Sequence, residues 1–184
     1  MEVEKLSQRG MATLVIVGIV IAVVVVAAVG VTAAVLLTGG GGGGGAGGGG
    51  GGTSVANASS LKFDFEATAQ GQTITGTMWL KDMGTSNQKI RQEVTAMGQN
   101  MTIIVNGETR KAWMYMAGQW MDFSSSFEQY WDQYADQAEQ YKGYLANWSG
   151  SGEYTYSDPE SGVSIRIYNI EVNPALSDSL FTHS

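Results

Sequence analysis

The amino-acid sequence predicts an α+β domain, an antiparallel sheet covered by one amphipathic helix, held outside a membrane by an N-terminal transmembrane helix. Three observations predict it. An uncharged apolar run extends from Gly10 to Thr38. From Leu61 onward, apolar and polar residues alternate in successive short segments, the period of half-buried strands. Between Phe127 and Leu145 the apolar residues recur every three or four positions, the period of a helix with one buried face.

Residues 1–9 are a short polar head, predicted to be cytoplasmic. The run 10–38 is longer than the roughly 20 apolar residues that span a bilayer. It also exceeds the about 7–15 apolar residues of a cleavable secretory signal, so an uncleaved single-pass anchor is expected. Lys5 and Arg9 precede the run, and no Lys or Arg follows it before Lys62. That asymmetry puts the N-terminus in the cytoplasm and the main domain outside. Residues 39–60 read as a flexible tether: of the 26 Gly in the chain, 13 lie between Gly39 and Gly52. Poly-Gly has nothing to bury and the most backbone entropy to lose. About 22 such residues reach on the order of 25 Å. The tether is either a spacer across a surface layer or a neutral low-complexity expansion.

The outer domain is predicted to occupy residues 61–184. Leu61–Ala67 alternates, and Ile74, Met78 and Leu80 repeat the pattern after a turn at Gln70-Gly71. Lys89–Ala96 is a third strand with Ile90, Val94 and Ala96 on one face. Gly98-Gln-Asn100 turns into Met101–Val105, and Asn106-Gly107, a strong hairpin signal, leads into Arg110–Met116. A short sixth piece lies around Trp120–Phe123. The helix follows, with Phe127, Tyr130, Trp131, Tyr134, Ala138, Tyr141 and Leu145 on its apolar face. Ser125 and Glu128 fit a capping box at its start. Glu153–Tyr156 and Val163–Val172 close the series as two more strands, and a tail runs from Asn173 to Phe181.

Composition excludes much chemistry. The 184 residues carry a net charge of −7, no Cys and one His, the penultimate His183. Disulfides, thiol nucleophiles, zinc ribbons and a lipid-modified cysteine are excluded, and a His-dependent triad is disfavoured. An acidic chain without a basic cluster is a poor nucleic-acid binder. No G-x-S-x-G elbow occurs, and the poly-Gly run lacks the Gly-Lys-Ser/Thr ending of a phosphate loop. Neither catalytic residues nor a cofactor nor a metal site is expected. Asp132, Asp136 and Glu139 share a helix face, where they read as solvated carboxylates rather than as a calcium site. The sequons Asn57, Asn100 and Asn147 fall on the predicted outer side and are candidate glycosylation sites.

The most informative surplus is Met and aromatic. Met78, Met97, Met101, Met114, Met116 and Met121 occur with Trp79, Trp113, Trp120 and Trp131 in the outer domain. The alternation puts Phe63, Phe65, Met78, Met101, Met114 and Met116 on one sheet face, with Tyr130, Tyr134 and Tyr141 of the helix over it. Methionine adapts to varied apolar partners, so these nine residues are either a Met-filled core or the lining of an apolar ligand groove.

Two resemblances bear on the choice. The stretches Gly76–Lys81, Ile90–Val94, Ile103–Gly107 and Trp113–Met116, with the tail Asn173–Phe181, resemble the strand series and closing segment of the lipoprotein-carrier (lipoprotein-localisation factor) superfamily. The resemblance covers roughly residues 61–181. It implies an open antiparallel half-barrel with a helical lid, whose apolar concave face holds acyl chains. The chain departs from that pattern in its tethering and in having one clear helix. Ser7-Gln-Arg-Gly10, followed by the apolar run, is similar to an archaeal class III (prepilin-type) signal, which implies processing after Gly10. The Glu usual early in the mature helix is missing.

The expected function is noncatalytic: a membrane-anchored domain that binds a lipid-like ligand or senses the envelope through it. Expected partners are membrane lipid, that ligand and a cell-envelope protein. The alternative is a pilin-like or cell-surface structural subunit.

Overall fold

Alternation starting near Leu61 becomes strand β1 (Ser60–Ala69), and each later alternating segment becomes a strand in turn: β2 (Gln72–Lys81), β3 (Lys89–Ala96), β4 (Gln99–Asn106), β5 (Lys111–Met116) and β6 (Gln119–Asp122). Helix α1 (Phe127–Leu145) follows, then β7 (Tyr154–Asp158) and β8 (Val163–Val172). This computed structural model describes residues 55–69, 71–146, 148–158 and 162–183. The head, the apolar run with the Gly10 processing point, Gly39–Gly52 and Asn147 lie outside the described residues. Among the described residues no helix is long and apolar enough to cross a membrane.

The strands form one open eight-stranded sheet in the order β6-β5-β4-β3-β2-β1-β8-β7, and every neighbouring pair is antiparallel. The first six strands are a meander. The chain then crosses one face of the sheet as α1, and the β7–β8 hairpin adds to the free side of β1. Tight turns make the meander possible: Met97 and Gly98, and Ala117 and Gly118, have positive φ at both central positions, the backbone that matches strand twist. The β1–β8 pairing shifts register between Lys62 and Asp64. On the β8 side Asn169 adopts φ 51° there, and its amide donates to Asp64 Oδ2 at 2.8 Å.

Two local expectations differ from what is found, and a third, the hairpin at Asn106-Gly107, forms between β4 and β5 with a longer turn. The N-cap of α1 is Ser126, without a side-chain capping bond, so there is no capping box at Ser125. A 3-10 turn at Ser124–Ser126 leads into the helix instead, with Ser124 N–H donating to Asp122 Oδ1 at 2.8 Å. Residues 55–60, read from sequence as tether, include a 3-10 turn (Val55–Asn57) and the first residue of β1, with Val55 and Ala58 buried. Asn106-Gly107 opens a longer turn: Asn106 Oδ1 accepts from Thr109 N–H at 3.1 Å. Gly107 is required there by crowding. A Cβ on it would lie 2.5 Å from the Ser86 carbonyl and 2.7 Å from the Trp131 ring.

One sheet face packs against α1. Leu61, Phe63, Phe65, Met78, Leu80, Ile90, Ile103, Val105 and Ile167 are at most 2% exposed. The other face is crossed by the tail, from β1 towards β6. Asn173 N–H donates to the Ser60 carbonyl at 2.9 Å. Lys81 Nζ bonds the Leu176 carbonyl at 3.1 Å and Asp178 at 2.8 Å. Arg91 Nη1 donates to the Leu180 carbonyl at 2.9 Å, Asn106 Nδ2 to the Phe181 carbonyl at 3.1 Å, and His183 stacks on Trp120 at 4.3 Å. Phe181 and Ile104 are fully buried on this side.

Asp178 is the electrostatic pin of the tail. Lys89 sits on the same face with a side chain only 5% exposed, bonded to Asp178 at 2.8 Å and to Glu108 at 2.6 Å. Those partners raise the Lys89 pKa, and hydrogen bonds from Lys81 and Lys89 hold the Asp178 carboxyl down at about 2. A carboxylate whose folded pKa lies below its unfolded value near 3.8 contributes stability that is complete above that value and lost as pH falls through about 2. Asp178→Asn should therefore lower the thermal midpoint at pH 7 and flatten this part of the acid limb, read by calorimetry from pH 7 to 2. An unchanged acid limb would show that the pin carries no stability.

Candidate apolar binding site

Helix α1 crosses its sheet face from the β5–β6 side to β1. At its start Phe123 and Tyr130 meet at 5.3 Å, and Arg110 lies 5.0 Å over the Phe127 ring while pairing with Glu128. Towards its end Tyr141 packs on Phe63 at 5.1 Å and Phe65 at 6.3 Å. The nine residues expected to line a groove divide between these two regions. Phe63, Phe65, Met78, Met101, Tyr134 and Tyr141 are at most 6% exposed and belong to the packed core between sheet and helix. Met114, Met116 and Tyr130 are half-buried.

The half-buried group is continuous. Met101 pairs directly with Met116, and Met114 with Met121, across the β4–β5 and β5–β6 ladders. Directly opposed residues have Cβ atoms about 4.5–5.5 Å apart, so the four thioethers are neighbours on one face. Met121 and Phe123 are also half-buried. The sequence marks Phe123 only as the end of a strand. Its place at the site follows from the bond of its N–H to the Ala112 carbonyl at 2.8 Å, which turns the chain from β6 towards α1. The apolar surface thus runs from the core at Met101 outward to the edge strand β6.

Polar groups inside this region are few. Among the described residues the buried polar or charged ones are Ser60, Gln88, Lys89, Gln92 and Asn106. Four have partners: Ser60 Oγ bonds the Pro174 carbonyl, Gln88 accepts from Gly84 N–H, and Lys89 and Asn106 bind the tail and its flank. Gln92 faces α1 in the cross-strand row Phe63, Met78, Gln92, Ile103, Met114. Its amide has no hydrogen-bond partner among the described residues, nor has the hydroxyl of Tyr134, which is 3% exposed. Burial pushes the Tyr134 pKa far up, so the hydroxyl stays neutral.

The remaining sequence candidates lie elsewhere. Asn57 and Asn100 are exposed, with Asn100 Oδ1 accepting from Thr95 Oγ1 at 2.9 Å. Asp132, Asp136 and Glu139 are exposed on the solvent side of α1, and among the described residues no group of three or more His, Cys, Asp or Glu is placed to hold a metal ion. A polar cleft of about 500 Å³ lies on the tail side, lined by Lys81, Asp82, Lys89, Glu108 and Asp178 among others. The sequence carried no signal for it, because its residues come from four separate segments. No protein-family model matches the chain, and no curated protein matches it.

Proposed function

We propose that the outer domain is a noncatalytic, lipoprotein-carrier-like half-barrel that binds one acyl-like chain on the concave face under α1. The observation that carries this reading is the half-buried row Met114, Met116, Met121, Phe123 and Tyr130, continuous with the core and open towards β6. A row of flexible thioethers bounded by aromatic rings suits a chain of variable shape. Burial contributes about 0.8 kcal/mol per methylene. Ten methylenes would supply roughly 8 kcal/mol before ordering costs, enough for micromolar binding after modest losses. The open antiparallel sheet with a single helix is the architecture this reading needs.

The rest of the reading follows from the sequence. The run 10–38 anchors the chain, Lys5 and Arg9 keep its N-terminus in the cytoplasm, and the Gly-rich tether lets the domain reach the lipid surface or an envelope partner. Two experiments test it. In the full chain held in amphipol, an acyl probe with a diazirine in its chain should cross-link to β5, β6 and the first half of α1. Labelling confined to residues 10–38 would refute the binding site. Protease added to intact cells should release a fragment that starts in the tether; digestion only after lysis would refute the orientation.

A further inference from the structure

Asn106-Gly107 is the only Asn-Gly pair of the sequence. With no side chain on the following residue, the main-chain nitrogen meets little crowding on its way to the asparagine carboxamide. Once the Gly107 amide loses its proton, that nitrogen can attack Asn106 Cγ. A C–N bond forms, the Cγ–Nδ2 bond breaks, and Nδ2 leaves as ammonia. Water then opens the resulting succinimide to aspartate or isoaspartate. In the folded domain both nitrogens of this step are held. Asn106 is 2% exposed. Its Nδ2, the leaving group, donates to the Phe181 carbonyl at 3.1 Å, and its Oδ1 accepts from Thr109 N–H at 3.1 Å. Gly107 N–H, the nucleophile, donates to the Gln88 carbonyl at 2.9 Å. One of these three bonds belongs to the tail.

We propose that Asn106 is a self-modification site guarded by the C-terminal tail, and that its conversion makes release of the tail irreversible. With Phe181 seated, the carboxamide is fixed through both its polar atoms. Once the tail lifts, Nδ2 loses its partner, the side chain gains room to turn, and the ring closes. The product then keeps the tail away. An aspartate has no donor for the Phe181 carbonyl, and its charge repels that oxygen. Residue 106 also stands directly opposite Lys89 across the β3–β4 ladder, where facing Cβ atoms lie about 4.5–5.5 Å apart. The new carboxylate therefore competes with Asp178 for the ammonium that pins the tail. Isoaspartate goes further, because it adds a methylene to the backbone at the end of β4. Lifting of the tail is reversible while the amide is present and one-way after it is lost. The sheet face around Ile104, fully buried under the seated tail, then stays uncovered.

The test follows deamidation of the peptide containing Asn106 by mass spectrometry, in the full chain held in amphipol at mildly alkaline pH. The wild type should react at least about a hundredfold more slowly than the same chain in urea, because only the locally opened state reacts. Phe181→Ala should speed the reaction by about a hundredfold, the shift in tail opening expected on removing a fully buried ring. Asp178→Asn, which removes the pin and leaves the ring, should speed it several-fold and serves if Phe181→Ala does not fold. Leu145→Ala empties a buried site on the α1 side and should leave the rate within about twofold of wild type. Asn106→Asp should let carboxypeptidase trim the tail past Phe181, where the wild type stops, while the amides of β1 and β2 still exchange slowly. Equal acceleration by the tail variants and Leu145→Ala would overturn the proposal, since global unfolding would then be the gate. No acceleration by either tail variant, or a wild-type rate equal to that in urea, would overturn it as well. So would an Asn106→Asp chain whose tail resists trimming like the wild type, or whose β1 and β2 amides exchange fast.

Discussion

Phe181→Ala should destabilise the outer domain by about 3–5 kcal/mol, the usual cost of removing a fully buried aromatic side chain. Phe181 is 0% exposed although only three residues of the sequence follow it. Its ring covers the side of the sheet that α1 leaves open, together with Ile104, also at 0%. The bonds from Asn106 to the Phe181 carbonyl and from Arg91 to the Leu180 carbonyl depend on the ring staying in place. Since domains of this size are held by only about 5–15 kcal/mol, the substitution should bring the domain near the edge of folding. Urea titration followed by tryptophan fluorescence measures it. The neighbouring Leu180→Ala, at a half-buried position, should cost much less. Equal, small shifts for the two variants would show that the tail rests on the sheet without holding it.

Much of this fold was legible because its strands are half-buried, and a half-buried strand writes its orientation into every second residue. β3 and β8 begin and end where the alternation does, and α1 begins and ends where the three-to-four-residue period does. Segments without a period were less legible. The turn at Val55–Asn57 is too short to show one, so its burial looked like tether. The tail Asn173–Phe181 has none either, and nothing in its sequence says that it crosses the sheet face opposite α1. The alternation places Lys89 on the face opposite Ile90 but says nothing of its burial, which depends on carboxylates far along the chain, at Glu108 and Asp178. Gln92 shows the same limit from the other side. Its position on the inner face follows from the alternation, but its lack of a partner follows only from three-dimensional packing. Of the residues expected to line a groove, the sequence put all on one side and could not distinguish floor from rim, because depth under a helix depends on where the helix crosses. Phe63 and Phe65 lie beneath Tyr141, whereas Met114 and Met116 lie near the edge strand.

Met114→Glu should reduce labelling of the outer domain by the diazirine acyl probe at least tenfold. The Met114 side chain faces α1, between Ile103 on β4 and Met121 on β6, and is half-buried. A chain lying along this row would have to cover the new carboxylate. Burying an unpaired charge costs several kcal/mol, and every 1.4 kcal/mol is a factor of ten in affinity. In the empty domain the same carboxylate can turn to water at the β6 edge, so folding should suffer less than binding. Met114→Leu preserves apolar area and should retain most of the labelling, which separates loss of the surface from loss of the sulfur. Thr95→Glu, exposed on the opposite face, should have no effect. Each variant is compared at equal secondary-structure content by circular dichroism, so that a drop in yield is a drop in binding. If Met114→Glu folds and labels like the wild type, the chain does not lie along β5, and the half-buried methionines are only the rim of the core.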